Sequence, residues 1–161
     1  MKETHPFIHF IFLGDGAEKD NLLKQVELDE LTNVTLLGSV PKKDVVDFLS
    51  ILDAAIINLR KSDLFKTVIP SKIFETTAMQ VPILLGVDGE ARGIVEKYNV
   101  GLYYEPENEN DFIEKVELLF SAQTDIQAIK EGCYKLSHDF DRKKLAVKML
   151  NLIEAVASKK N

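Results

Sequence analysis

The residues best suited to chemistry lie in one run, Pro70-Ser71-Lys72-Ile73-Phe74-Glu75. A serine at a helix start can cap it with its hydroxyl. The amides of a first helical turn carry roughly half a positive charge and attract anions. Lys72 adds a full charge beside them, a combination that suits a diphosphate. Glu75, one turn further in, only accepts hydrogen bonds when ionised and suits a vicinal diol such as ribose O2′ and O3′. A capped helix with a solvated Lys-Glu pair accounts for the same residues, and both readings stay open.

Three further segments allow close backbone approach. Gly14-Asp15-Gly16 begins like a dinucleotide fingerprint, but Lys19 stands where a third glycine would be. It fits either a tight turn or a backbone contact to a ligand phosphate or sugar. Gly38-Ser39-Val40-Pro41 offers an apolar wall and backbone groups for a base, although Pro41 is also ordinary helix-entry chemistry. Gly86-Val87-Asp88-Gly89-Glu90 follows the same logic, with Asp88 or Glu90 expected to cap the next helix. Tyr103 and Tyr104 read as strand residues, and His138 and Asp139 as surface residues near a helix break. No Ser/His/Asp or Cys/His set assembles. His5, His9, His138 and Cys133 match no metal-ligand spacing.

These segments need a frame, and the hydrophobic pattern supplies one. Short apolar runs at 7–13, 33–37, 54–59, 82–85 and 100–104 read as strands. Between them, helices are expected at 17–27 (apolar face Leu22, Leu23, Val26), from Pro41 through Leu52, at 71–80 (Ile73, Phe74, Ala78) and at 90–98. Helices at 111–120, 125–136 and 141–158 follow. The run at 54–59 looks fully buried, as in a parallel sheet covered on both faces. Alternating strands and helices imply an α/β, Rossmann-like, doubly wound parallel sheet of about five strands. Ligands of such sheets sit beyond the carboxyl ends of the strands, where every segment above falls.

The chain has 161 residues, 45% hydrophobic and 29% charged, which suits a single domain over 1–161 with one core. Its net charge of −6 disfavours a nucleic-acid groove. One cysteine excludes an internal disulfide and points to a reducing compartment. No apolar stretch approaches the ~20 residues of a membrane helix. Met1 to Pro6 lack the order of a signal peptide.

The order of these pieces resembles the C-terminal, nucleotide-sugar-binding half of a family 4 GT-B glycosyltransferase of the bacterial surface-polysaccharide type. The matching runs are FLGDGAEKDNL, NVTLLGSVPKKDVVDFLSILDAAIINL and PSKIFETTAMQVPILLGVDGEARGIVEKYNVGLYYEPENENDF, and Phe140 and Arg142 form a similar F-x-R opening to a late helix. The resemblance implies a glycine turn at Gly14 and Gly16 near the donor and base contacts at Val40 and Pro41. It also implies diphosphate binding at Pro70, Ser71, Lys72 and Ile73, ribose binding at Glu75, and Lys72 as the catalytic charge. The position eight residues before Glu75, where many members carry another glutamate, is Thr67.

The implied activity is retaining transfer of a hexosyl or N-acetylamino sugar from a nucleotide-diphosphate sugar, with UDP expected and no further cofactor or metal. The acceptor, a glycan or lipid-linked glycan, would be held by an N-terminal domain. That domain and a first strand-helix unit precede the matched region in the family, so the chain is expected to be a fragment, inactive alone. The expected setting is cytoplasmic, peripheral at the inner face of the membrane, with self-association through a bare sheet edge. Two rival readings remain: half of a UDP-sugar 2-epimerase, and a non-catalytic interaction domain of the same fold.

Overall fold

The computed structural model describes Met1 and residues 3–158; Lys2 and residues 159–161, at the ends of the expected domain span, lie outside the described residues. The chain divides into two compact units, Met1–Phe48 and Leu49–Asn161.

In the first unit, β1 (Phe10–Leu13) pairs in parallel with β2 (Val34–Leu37), Phe10 opposite Val34 and Leu13 opposite Leu37. Both strands start later than the apolar pattern suggests. The connecting helix α1 (Lys19–Leu28) has no buried residue. Its expected apolar face is only partly covered: Leu22 and Leu23 are exposed and Val26 is half-buried. A two-stranded ladder of four-residue strands offers little surface to cover. Buried Asn33 donates through Nδ2 to the Ile8 carbonyl at 3.1 Å, tying the chain ahead of β1 to the start of β2. The expected helix from Pro41 begins as a 3-10 turn over Lys42–Asp44 and continues as α2 (Val45–Ser50), within which the unit boundary falls.

In the second unit, β3 (Ala55–Asn58), β4 (Ile83–Gly86) and β5 (Gly101–Tyr103) form a parallel ladder in that order. All five expected strands are therefore present, each parallel to its neighbours within its own ladder. Central β4 is buried along its whole length. β3 departs from expectation: Ala55 and Ile57 are buried, but Ile56 is 39% exposed and Asn58 is exposed.

The helices are α3 (Lys72–Ala78), α4 (Glu90–Tyr98), α5 (Glu109–Leu119), α6 (Ile126–Asp139) and α7 (Arg142–Ser158). Ile73, Ile83, Leu85, Val95, Leu119 and Leu136 form a core in which each is shut off from solvent, each such side chain contributing ~2 kcal/mol. In α3 the buried residues are Ile73, Thr76 and Thr77, whereas Ala78, expected inside, is exposed. Thr77 fits the core because its hydroxyl donates to the Ile73 carbonyl at 2.8 Å. Phe74 packs on Phe140 at the end of α6, with ring centroids 4.9 Å apart. α5 and α6 are capped by Asn108 and Asp125, whose side chains accept from Asp111 N and Ala128 N. α7 buries nothing: Met149, Leu152 and Val156 are all more than half exposed. Among the described residues no helix is long and apolar enough to cross a membrane.

Candidate functional site

Fold and sequence meet at the segment that follows β3. The chain leaves β3, makes a 3-10 turn over Asp63–Thr67, and enters α3 at Lys72. Because Ile73, Thr76 and Thr77 turn to the core, Lys72 and Glu75, three positions apart, share the solvent side of the helix. Neither makes an ion pair or hydrogen bond with any described residue. The solvated Lys72–Glu75 pair considered above is thus not formed, and a cation and an acceptor stand side by side without partners.

The start of α3 differs from expectation in one respect. Ser71 lies in the right-handed helical region (φ −59°, ψ −25°) and makes no side-chain cap. Its hydroxyl cannot reach forward, because the chain has already turned into the helix at that residue. Pro70 and Ser71 instead use their carbonyls: Ile73 N donates to Pro70 O at 3.1 Å and Phe74 N to Ser71 O at 3.0 Å. The Ser71 and Lys72 amides remain for an anion. Two turns of helix add little dipole, so the positive character here rests on the Lys72 ammonium and these two amides.

In the first unit the two glycine turns lie together at the carboxyl ends of the paired strands. Gly14, at φ +148°, donates its amide to Leu37 O at 3.2 Å. Gly16 N donates to the Asp15 side chain at 2.9 Å. No atom lies within 4 Å of a Cβ built on Gly14 or Gly16, so the turn is open to a ligand. Val40 is half-buried and Pro41 exposed, the latter leading into the 3-10 turn. The predicted residues therefore form two groups, Gly14, Gly16, Val40 and Pro41 in the first unit and Pro70 to Glu75 in the second.

A charged network at the ends of β4 and β5 went unread in the sequence. The Arg92 guanidinium sits 4.0 Å above the Tyr103 ring, 3.6 Å from Asp88 and 2.7 Å from Glu96. Burial, then the Asp88 charge, pushes the Tyr103 phenol up. Asp88 thus serves Arg92 and is not a cap; Gly89 occupies the N-cap of α4, so neither Asp88 nor Glu90 does. The Asp88, Arg92, Glu96 spacing of four was the available signal. Nearby, Lys61 pairs with Glu105 at 2.5 Å, and that hydrogen bond, with one from Asn108, holds the Glu105 carboxyl below its usual range. Asp111 is held low in the same way, first by accepting the Glu105 amide at 2.6 Å. Tyr104, read from the sequence as a strand residue, lies just past β5 and is buried against Phe112. His138 and Asp139 are exposed, Asp139 accepting from Tyr98 Oη at 2.8 Å. A cavity of about 570 Å³ is lined by α7 residues including Lys144, Val147 and Lys148; it is a surface furrow remote in sequence from the strand ends, where the fold places ligands.

Residues 1–136 match the family described as glycosyl transferases group 1. No curated protein sequence matches the chain significantly. Among solved structures, a glycosyltransferase from Rickettsia africae ESF-5 superposes with a TM-score of 0.73 at 18% identity, over 97% of this chain and 42% of its own. Anabaena HepE, solved in complex with UDP, gives 0.74 at 18% identity over 93% and 42%. The pneumococcal O-GlcNAc transferase GtfA, solved with UDP and GlcNAc, gives 0.72 at 15% identity over 96% and 31%. The chain thus spans less than half the length of each of these structures, and at such identities the likeness is one of fold.

Proposed function

The chain belongs to the group 1 glycosyl transferases, and on that premise we propose that it binds the nucleotide-diphosphate sugar of a glycosyltransferase, with UDP as the nucleotide. One observation carries the reading. Among the described residues, Lys72 and Glu75 stand unpaired on the solvent side of α3, beside two amides without partners, at the carboxyl-terminal side of a parallel ladder. The UDP in two of the matched structures supports the choice of nucleotide.

In this reading Glu75 accepts the ribose hydroxyls, and Lys72 with the Ser71 and Lys72 amides meets the diphosphate. Within the first unit, Gly14 and Gly16 are the candidate glycine turn and Val40 and Pro41 the candidate base contacts. As the glycosidic bond breaks, the departing diphosphate gains negative charge, so fixed positive groups stabilise the transition state more than the ground state. Loss of one such preorganised hydrogen-bond donor from an oxyanion hole typically costs ~3 kcal/mol in the barrier, the scale to expect here. The transferred group is a hexosyl or N-acetylamino sugar, passed with retention to a glycan or lipid-linked acceptor held by a further domain. The setting is the cytoplasmic side of a membrane, with peripheral attachment.

Titration of UDP into the protein, followed by calorimetry or chemical shifts, tests the donor site. We expect a response that Glu75→Ala abolishes or strongly weakens. Silence at millimolar UDP refutes the reading.

A further inference from the structure

Residues 60–69 carry the chain from β3 to the start of α3, yet none of their apolar side chains is fully buried, and only Phe65 is half-buried. The 3-10 turn over Asp63–Thr67 has no buried residue, and Leu64, Val68 and Ile69 are 74%, 37% and 41% exposed. Hydrophobic packing alone therefore does not set the path of this segment. Two attachments do. Near its beginning, the Lys61 amide donates to Glu107 Oε1 at 3.1 Å and its ammonium to Glu105. Near its end, the backbone of Lys66 lies against Gly89. A Cβ built on Gly89 would stand 2.1 Å from the Lys66 carbonyl oxygen and 2.7 Å from its carbonyl carbon and Cα.

Gly89 has φ +83°, a conformation that residues with a side chain resist. The wall it belongs to is braced by Arg92, which reaches Asp88, Glu96 and the Tyr103 ring. The Lys66 carbonyl thus rests on fixed backbone, six residues before Lys72. Ordinary contact with a methyl group begins at 3.4 Å, so a side chain at position 89 would displace a carbonyl now 2.1 Å away by more than 1 Å.

We propose that Gly89 is a positioning residue of the donor site. Its missing side chain seats the Lys66 carbonyl against the N-terminus of α4, and this seat, with the Lys61 latch, fixes where the start of α3 and its Lys72 stand. The proposal deepens the donor-site reading and rests on it.

The test compares Gly89→Ala and Lys61→Ala in the full chain with Gly93→Ala, whose site in α4 has nothing within 4 Å. Amide hydrogen exchange over 63–72 and UDP titration are the two readouts. We expect faster exchange confined to that segment and a half-saturating UDP concentration raised about fivefold for Gly89→Ala, since preorganisation of the site is lost. Lys61→Ala shifts both readouts in the same direction, and Gly93→Ala shifts neither. Lys61→Ala removes only an exposed ion pair and carries the test should Gly89→Ala fail to fold. Wild-type exchange over 63–72 in a folded Gly89→Ala overturns the seat. A UDP response that Gly89→Ala and Lys61→Ala both leave intact overturns the positioning role alone. A wild-type chain with no UDP response overturns the donor-site reading, and the role of Gly89 in it.

Discussion

Replacing Lys72 by alanine separates the two halves of the proposed ligand. Lys72 is exposed and makes no hydrogen bond or ion pair with a described residue, so its loss costs the fold within about 0.5 kcal/mol and leaves the melting temperature in place. Its effect on a phosphate follows from charge. Two unit charges 4 Å apart interact by about 1 kcal/mol in bulk water and about 4 kcal/mol at an effective dielectric near 20. Exposure puts Lys72 toward the lower end, at about 1.4 kcal/mol, or roughly a tenfold rise in Kd. Lys72→Ala should therefore weaken UDP about tenfold and leave uridine, which has no phosphate, unchanged. The difference should shrink as salt rises from about 0.05 M to about 0.5 M, because screening shortens the reach of the charge. Glu75→Ala should behave otherwise. Hydrogen bonds to a charged group contribute about 1.5 to 3 kcal/mol, and both ligands carry the ribose, so both should weaken by roughly tenfold or more. Paired calorimetric titrations of UDP and uridine decide the matter. If Lys72→Ala weakens uridine as much as UDP, or leaves UDP unaffected at low salt, the assignment of Lys72 to the diphosphate is wrong.

Three further outcomes follow from the packing. The Asp111 carboxyl is lowered from 3.8, so its stabilisation is present above that value and lost as pH falls through its lower native pKa; melting curves between about pH 4 and pH 2 should show an acid limb that Asp111→Asn flattens. Burial pushes the Cys133 thiol up to about 11, so a thiol reagent at neutral pH should label the native chain slowly and the urea-unfolded chain fast, and rapid native labelling contradicts the buried position. Gln80 ends α3 at φ +56°, a left-handed conformation costing about 1 kcal/mol for a residue with a side chain, so Gln80→Gly should stabilise the protein by about 0.5 kcal/mol in urea unfolding after the entropy of glycine is set against it.

What was legible in the sequence divides along physical lines. Helix α4 falls where its pattern predicts, because Ala91 and Val95 recur at helical spacing and Asn99 closes it in the left-handed conformation that asparagine tolerates. Glu30 and Gln80 do the same work after α1 and α3 without being glycine or asparagine, so those two ends carry no compositional mark. The turn over Asp63–Thr67 is built from local bonds, Ser62 Oγ to Leu64 N and Lys66 to Asp63, which leave no apolar period to detect. Lys72 and Glu75 were legible because three-residue spacing on a helix is itself a statement about sides. The role of Ser71 was not: capping depends on backbone angles, and a serine reads the same whether it precedes a helix or has already joined it. Gly89 could be read as permitting close approach, but what approaches it comes from a segment more than twenty residues earlier.

Helix α7 gives the rest of the chain almost nothing, and that independence has a practical side. Its hold is its first turn, where Asp141 Oδ1 accepts the Lys144 amide at 3.0 Å and Asp141 O accepts Leu145 N at 2.9 Å. Most helical stability in proteins comes from packing an apolar face, and α7 buries none. The far end of α7 is therefore the natural entry point for a protease and the natural joint for a fusion partner, since cutting or extending it disturbs neither the β3–β5 ladder nor the approach to Lys72.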